Sequence, residues 1–465
     1  MRAHARPGLV ILAVLLVVTA SALVALSMIT AGAAARGHAD ASSRHTEAEA
    51  IVWSGVLQAL AEMSAQRDDL LAGEAPALTG RTELYQTAAG ERAVVRLLNV
   101  GDADPFDSEP MLARAEAAAL NANTASAEML AALPGLSEED AQRLISARDA
   151  APFASITEVA ARAEITDPDA LAYLCVFSAD PEVEGGIADA ARCGDARIDI
   201  TAEWSDELAG ALDARFGEGS SAAVRSVLDD GWSLASRTDL ANFQGSILSQ
   251  SSEEWREEFD ALVFSSEPYA IGRVDMLRAS AEVLAAIPGI DEDAARELVS
   301  TRDRLSDPER RSISWPTEYG VLSYEDFALA AEHLAARSLQ WTIRVEGGFT
   351  PAQIDDTLSA AELRDRSAYD SNESLIGAVV WEVVIDASVR PARVASITDV
   401  TLEHAWAAIA HEQAADENDS EDDTPAPSVS SSFESADPVG PAQPEPDTKP
   451  AARRIGRWMT TGGDA

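Results

Sequence analysis

Between Leu9 and Ala35 the chain carries no charged residue, and the run LVILAVLLVVTASALVALSMI fills most of that stretch. A bilayer core offers the backbone no water to bond, so a spanning segment closes its own hydrogen bonds as a helix, which takes about 20 apolar residues. Residues 9–35 are therefore expected to form a single transmembrane helix. The eight residues before it, MRAHARPG, hold Arg2 and Arg6, and the positive-inside bias keeps such an end in the cytoplasm. The bulk of the chain is then expected outside the cytoplasm. A cleaved signal peptide competes with this reading, because AGAAA at 31–35 offers small residues to a peptidase. The apolar region of such a peptide is only about 7–15 residues long, however.

Beyond Arg36 the segment GHADASSRHTEAEAIVWSGVLQALAEMSAQRDDLL places Ala48, Ile51, Val52, Val56, Leu57, Leu60 and Met63 at mixed spacings of three and four. That spacing predicts a helix with one apolar face. The spanning helix is thus expected to continue into an amphipathic half that packs on a folded domain, since an uncovered stripe of this size is a liability.

The chain has 79 acidic residues against 35 basic ones, a formal net charge of -44. The field of such a protein repels polyanions, so nucleic acid is an unfavourable partner. The six histidines are scattered, and the two cysteines, Cys175 and Cys193, form no CxxC pair, so no zinc-site spacing is present. In an oxidising compartment those two cysteines are a candidate disulfide; two unrelated thiols are the alternative. GxSxG, HExxH, a Walker loop and a GxGxxG before a helix are all missing, and with them the usual signatures of hydrolases and nucleotide-dependent enzymes. The expectation is a protein that is not an enzyme and needs no cofactor. Calcium takes clustered oxygen ligands, and the nearest local approach is Asp102, Asp104, Asp107 and Glu109 in DADPFDSEP. That loop does not follow the EF-hand pattern, and a solvated acidic loop accounts for it.

Runs rich in branched aliphatic residues at 91–100, 340–349 and 375–389 read as strands. A long Ala-rich helical region separates the first from the other two, which implies an α+β fold with an antiparallel sheet divided by a large helical insertion. Within the insertion ASAEMLAALPGL at 125–136 returns as ASAEVLAAIPGI at 279–290. In the first copy Ser126 is placed to cap a helix, Leu133-Pro134-Gly135-Leu136 makes a turn, and a second helix starts near Ser137. Ser155 or Thr157 caps a further helix. In the second copy Pro288 and Gly289 occupy the turn, and residues 196–216 are a candidate third, degraded copy.

Units of this kind resemble the helix-hairpin-helix (SAM-like) modules that grip DNA through a PGIG turn, whose backbone N–H groups meet a phosphate. Here the turns continue as PGLSEED and PGIDEDA. The second glycine is replaced by Ser137 and Asp291, and carboxylates follow where donors are needed. A packing module is the better reading, and a membrane-tethered DNA-uptake receptor the alternative one.

The chain also resembles a known family. A short basic leader ending at Gly8 and running straight into an apolar helix is similar to the leaders of type IV prepilins and type II secretion pseudopilins, which a prepilin peptidase cuts after the glycine. The mature chain would start at Leu9. Most of that superfamily has Glu at mature position five, where this chain has Ala13. The member that usually lacks the acid is general secretion pathway protein K, the large minor pseudopilin of type II secretion. LNANTAS at 120–126 and the paired Pro-Gly turns are similar to that family too. The resemblance implies a pilin-like α/β domain with a helical insertion, a seat at the pseudopilus tip in the bacterial inner membrane, and contacts with other minor pseudopilins and the inner-membrane platform. The expected division is a leader at 1–8, the spanning helix at 9–35, the helix extension and first pilin-like part at 36–119, and the insertion at 120–335. The remaining strands and a helix follow at 336–412, and an acidic, Pro- and Ser-rich disordered tail at 413–465.

Overall fold

The structure, a computed structural model, describes residues 7–100, 111–245, 252–350 and 375–406, with side chains from Val14 in the first stretch and from Trp255 in the third. The acidic loop with Asp102, Asp104, Asp107 and Glu109 and the tail from 413 lie outside the described residues.

A single helix runs from Pro7 to Ala65, so the GHADASS segment continues the helix rather than breaking it. Its apolar stretch is long enough to cross a membrane, with a mean hydropathy of 2.4 in its most apolar window. Val14 to Val18, Leu23, Val24, Leu26, Met28 and Ile29 are all exposed. From Ala48 onward one face turns inward: Ala48, Ile51, Val52, Val56, Ala59 and Met63 are buried. Leu57, expected on that face, is 48% exposed. The buried positions follow spacings of three and four, and Leu57 stands one residue off that line.

The chain divides into two compact units. The first comprises Met1–Leu57, Gly80–Leu97 and Val345–Val380, and here the helix packs on the sheet. The approach is close: a Cβ added at Gly55 would stand 2.2 Å from Val95 Cγ2, and one at Gly347 2.7 Å from Val52 Cγ2. Larger residues at either place would push the helix off the strands. Arg96 and Glu346 pair in the same unit, with side-chain exposures of 10% and 4%.

The main sheet has the order Arg81–Gln86, Arg92–Leu98, Gln340–Thr350, Ile376–Asp386, Arg393–Asp399, with the short strand Arg114–Ala115 also pairing to Gln340–Thr350. The two outer pairs are antiparallel. The central strand Gln340–Thr350 is buried at every residue but one, as a strand covered on both faces requires. The outer strands Arg81–Gln86 and Arg393–Asp399 carry mostly exposed residues. Neither is among the strands expected from the sequence, because an edge strand facing water lacks the apolar alternation that marks a half-buried one.

The second unit, Gln58–Thr79, Leu98–Arg344 and Trp381–Ala465, contains the helical region. Three successive segments each open on a two-residue strand, continue through short helices and close on a second strand parallel to the first. The ladders are Leu120–Asn121 with Leu174–Cys175, Ile198–Asp199 with Leu262–Val263, and Val274–Asp275 with Leu334–Ala335. The candidate third copy at 196–216 is thus the start of a full middle segment that runs on to Val263. One apolar core joins the segments, with Leu130, Leu144, Leu212, Trp255, Leu298, Trp315 and Phe327 among its buried members.

Both cysteines are free. Cys175 is buried with Sγ 3.5 Å from the Ala119 carbonyl oxygen, while Cys193 Sγ lies 3.5 Å from that of Asp68. Burial, aided by Glu116, pushes the Cys175 thiol well above its ordinary pKa, and a thiol held protonated is a poor nucleophile. In the native protein at neutral pH a maleimide is expected to label Cys193 slowly and Cys175 only after unfolding. Intact-mass analysis checks this; a native protein that needs a reductant before either site reacts would show a disulfide instead.

Candidate functional site

The three segments begin alike because the same side-chain chemistry turns the chain after each opening strand. Asn121 Oδ1 accepts the Asn123 N–H at 2.8 Å, Asp199 Oδ1 the Thr201 N–H at 2.9 Å, and Asp275 Oδ1 the Leu277 N–H at 3.0 Å. This is the Asx turn, in which a short polar side chain imitates a backbone turn. A serine then caps the first helix in each: Ser126 for Ala127–Ala131, Ser205 for Asp206–Phe216, Ser280 for Ala281–Ala285. LNANTAS is therefore a folding signal. Leu120 pairs into the ladder, Asn121 turns the chain, Asn123 holds Phe153 through both its N–H (2.7 Å) and its carbonyl (3.0 Å), and Ser126 caps.

The first and third segments share one further clamp. Arg148 Nη1 donates to the carbonyls of Ala122 (3.1 Å) and Ala125 (2.6 Å), and Arg302 Nη1 to that of Ala279 (2.7 Å). Each arginine ties the second helix of its pair, Glu138–Ala150 or Glu292–Arg302, to the loop before the first. These arginines and the three Asx residues escaped the sequence reading. Their signal is that Arg148 and Arg302, like Asn121 and Asp275, recur at the same shift as the serine caps.

The Pro-Gly turns lie between the paired helices, where Pro134 and Pro288 were placed. Gly135 and Gly289 adopt φ of +79° and +84°, a left-handed conformation that glycine takes without steric cost. A Cβ at Gly135 would stand 2.7 Å from Asp167 Oδ2, and one at Gly289 2.2 Å from the Asp326 carbonyl oxygen. A protein oxygen atom thus lies against each turn glycine. The second helices open on Glu138, Glu139 and Asp140 or on Glu292 and Asp293, after the caps Ser137 and Asp291. Acids there suit the helix dipole, and they repel a phosphate.

In the middle segment Gly217 and Gly219, at φ +100° and +95°, serve the same turn, and the first helix has 11 residues against 5 in each of the other copies.

A buried ionic network joins the ends of the segments. Arg337 Nε donates to Asp180 Oδ1 at 2.7 Å, and its Nη2 reaches the carbonyls of Pro181 and Val183, each at 2.9 Å. Arg273 pairs with Asp180 (3.3 Å) and Glu182 (2.8 Å). Arg197 pairs with Glu182 at 2.5 Å and donates to the Asp260 carbonyl oxygen at 2.8 Å. The Asp260 carboxylate accepts the N–H groups of Gly185 (2.6 Å) and Ile187 (3.1 Å). Burial alone would raise the Asp180 carboxyl pKa, but Arg337, Arg197 and Arg273 hold it far below the usual carboxylate range. For Glu182 burial is likewise outweighed, by Arg197 and Arg273.

At the other end of the chain, Gly8 and Leu9 lie in the first turn of the long helix, and residues 1–6 lie outside the described ones. No group of three or more His, Cys, Asp or Glu arranged to hold a metal occurs among the described residues.

No curated protein and no solved structure matches the chain. Residues 120–175, the first segment from its opening strand to its closing one, match the family model of type II secretion system (T2SS) protein K. That match makes the first segment similar to type II secretion system protein K.

Proposed function

We propose that the protein is a minor pseudopilin that sits at the tip of the type II secretion pseudopilus, where it helps to start the filament and to move folded proteins outward. The protein K match over 120–175 carries this reading. The long N-terminal helix supports it, with an apolar stretch uncovered in the fold. That stretch would hold the protein in the bacterial inner membrane before assembly and pack against neighbouring pseudopilins afterwards. The rest of the chain would lie in the periplasm, in contact with other minor pseudopilins and the inner-membrane platform.

The role would be mechanical rather than catalytic. The three helical segments, read as helix-hairpin-helix units on a pilin-like sheet, would serve as packing modules. Their bulk suits a position with no subunit stacked above it. The DNA-receptor alternative gains no support from the turns, which face Asp167 Oδ2 and the Asp326 carbonyl oxygen. Ala13 in place of the usual glutamate removes the carboxylate that would neutralise the N-terminal ammonium of a neighbour, and an unpaired charge in an apolar setting is costly.

Prepilin peptidase is expected to cut between Gly8 and Leu9. N-terminal sequencing of the membrane-extracted protein, made with and without the peptidase, checks this. A start at Leu9 that depends on the peptidase is the expected result. An intact Met1 in both preparations would leave a plain anchored module, and a start near Ala33 would sink the filament reading.

A further inference from the structure

The chain leaves the main sheet for the first helical segment along a short path. Arg114–Ala115 pairs antiparallel with the central strand, Ala115 opposite Trp341 and Arg114 opposite Thr342. One turn, Glu116–Ala118, then leads to the opening strand Leu120–Asn121. The chain comes back through Leu334–Ala335 into Gln340–Thr350, so the way out and the way back meet at this ladder. Glu116 stands between them. Its side chain is 5% exposed, and its Oε1 accepts the Thr342 hydroxyl.

A buried carboxylate is stable as an anion only with a well-placed cation and with hydrogen bonds to its remaining lone pairs. Arg114 Nη2 is 3.8 Å from Glu116 Oε1, and the Arg114 side chain is 38% exposed, so water screens much of its pull. The other charged neighbours do not make up the difference. Glu382 repels Glu116 and is itself bound to Arg344 at 2.9 Å. The strand Val274–Asp275 packs on the Glu116 turn and brings Asp275, which Arg278 holds at 2.7 Å. Beside that strand is His333, whose carbonyl accepts the Val274 N–H and whose imidazole burial keeps below its ordinary pKa. The Cys175 thiol, opposite Asn121, stays protonated. Burial therefore prevails over Arg114 and Thr342, and the Glu116 carboxyl pKa is raised above its usual value.

We propose that Glu116 is a pH-sensitive latch at this crossing: neutral, it ties the departing chain to the returning strand through Thr342, and ionised, it lets the crossing open so that water reaches the carboxylate. Once open, the carboxyl titrates in its ordinary range, near about 4.3. Above that pH the closed form binds more protons than the open one. The latch is thus complete below it and weakens as pH rises toward the buried pKa. The crossing is firm in mild acid and looser at neutral pH and above. This inference does not rest on the secretion reading; it concerns only how the helical segments are joined to the sheet.

Amide hydrogen exchange of the full chain in detergent, corrected for the intrinsic rate at each pH, tests it. Between about pH 5 and pH 8 the protection of residues 112–119 and 340–344 is expected to fall several-fold. Glu116→Gln keeps an acceptor for Thr342 but carries no charge, so its protection should hold over that range, with any slope that is left belonging to His333. Protection that does not change with pH in the wild type, or a fall of the same size in Glu116→Gln, would overturn the proposal. Should Glu116→Gln fail to fold, Thr342→Val decides. Without the hydroxyl, these residues should already lack at pH 5 the protection that the wild type loses by pH 8, and protection equal to that of the wild type at pH 5 overturns the latch.

Discussion

Gly289→Ala is expected to destabilise the second unit by about 2–5 kcal/mol, because an L-residue in the left-handed region costs about 1–2 kcal/mol and an overpacked contact another 1–3. The backbone there has φ +84°, and the new Cβ would be placed 2.2 Å from the Asp326 carbonyl oxygen and 3.1 Å from Leu329 Cβ. The oxygen belongs to the backbone of the helix Tyr324–Ala330, so it has no rotamer through which to escape. The turn would have to lift from a helix that buries Phe327 and Ala328. Gly320→Ala is the control: φ is +71° but no atom lies within 4 Å of the new carbon, so only the backbone cost of about 1–2 kcal/mol applies. Gly135→Ala should fall between the two, since its nearest neighbour is the end of the Asp167 side chain. Thermal unfolding of the three variants checks the order. A Gly289→Ala midpoint no lower than that of Gly320→Ala would mean that the turn does not bear on the helix.

Gly135 and Gly289 belong to the part of the fold that was legible in the sequence, whereas nothing local marked Gly320. Ser126 caps the helix expected after it, Ser137 caps the one expected to start near it, and of the two candidates Ser155 and Thr157 it is Ser155 that caps the third, because a cap acts within three residues of itself and leaves a local signature. The middle segment was legible only at its start. Its turn replaces Leu-Pro-Gly with Gly217-Glu218-Gly219, and its first helix, Asp206–Phe216, is longer than its counterparts. What the three segments keep is the Asx turn at Asn121, Asp199 and Asp275 followed by a serine cap, a pattern too sparse to stand out without the ladders that flank it. The ionic network was not legible at all. Asp180, Arg197, Arg273 and Arg337 are far apart in the sequence, and nothing local separates them from the many charged residues on the surface.

Asp180→Ala is expected to cost about 3–5 kcal/mol, the usual effect of removing one partner from a buried ion pair. Arg337 Nε would lose its 2.7 Å acceptor and Arg273 one of two carboxylates, and both arginines are 11% exposed or less in their side chains. Most of the cost is the stranded charge, so Asp180→Ala combined with Arg337→Met should be less unstable than the two single effects added together. The same pair predicts the acid limb of the stability curve. The folded protein holds the Asp180 and Glu182 carboxyls below their ordinary pKa values. Below about pH 4 the unfolded chain therefore binds protons that the folded one does not. Their contribution is complete above that pH and is lost as pH falls toward the folded pKa values. In Asp180→Asn the slope of stability against pH between about 4 and 2 should be shallower by the share of one carboxylate. Denaturant unfolding of both proteins at a series of acid pH values measures this. Parallel curves would show that Asp180 carries no net pairing energy in the fold, and that the network orders the segment ends by hydrogen bonding alone.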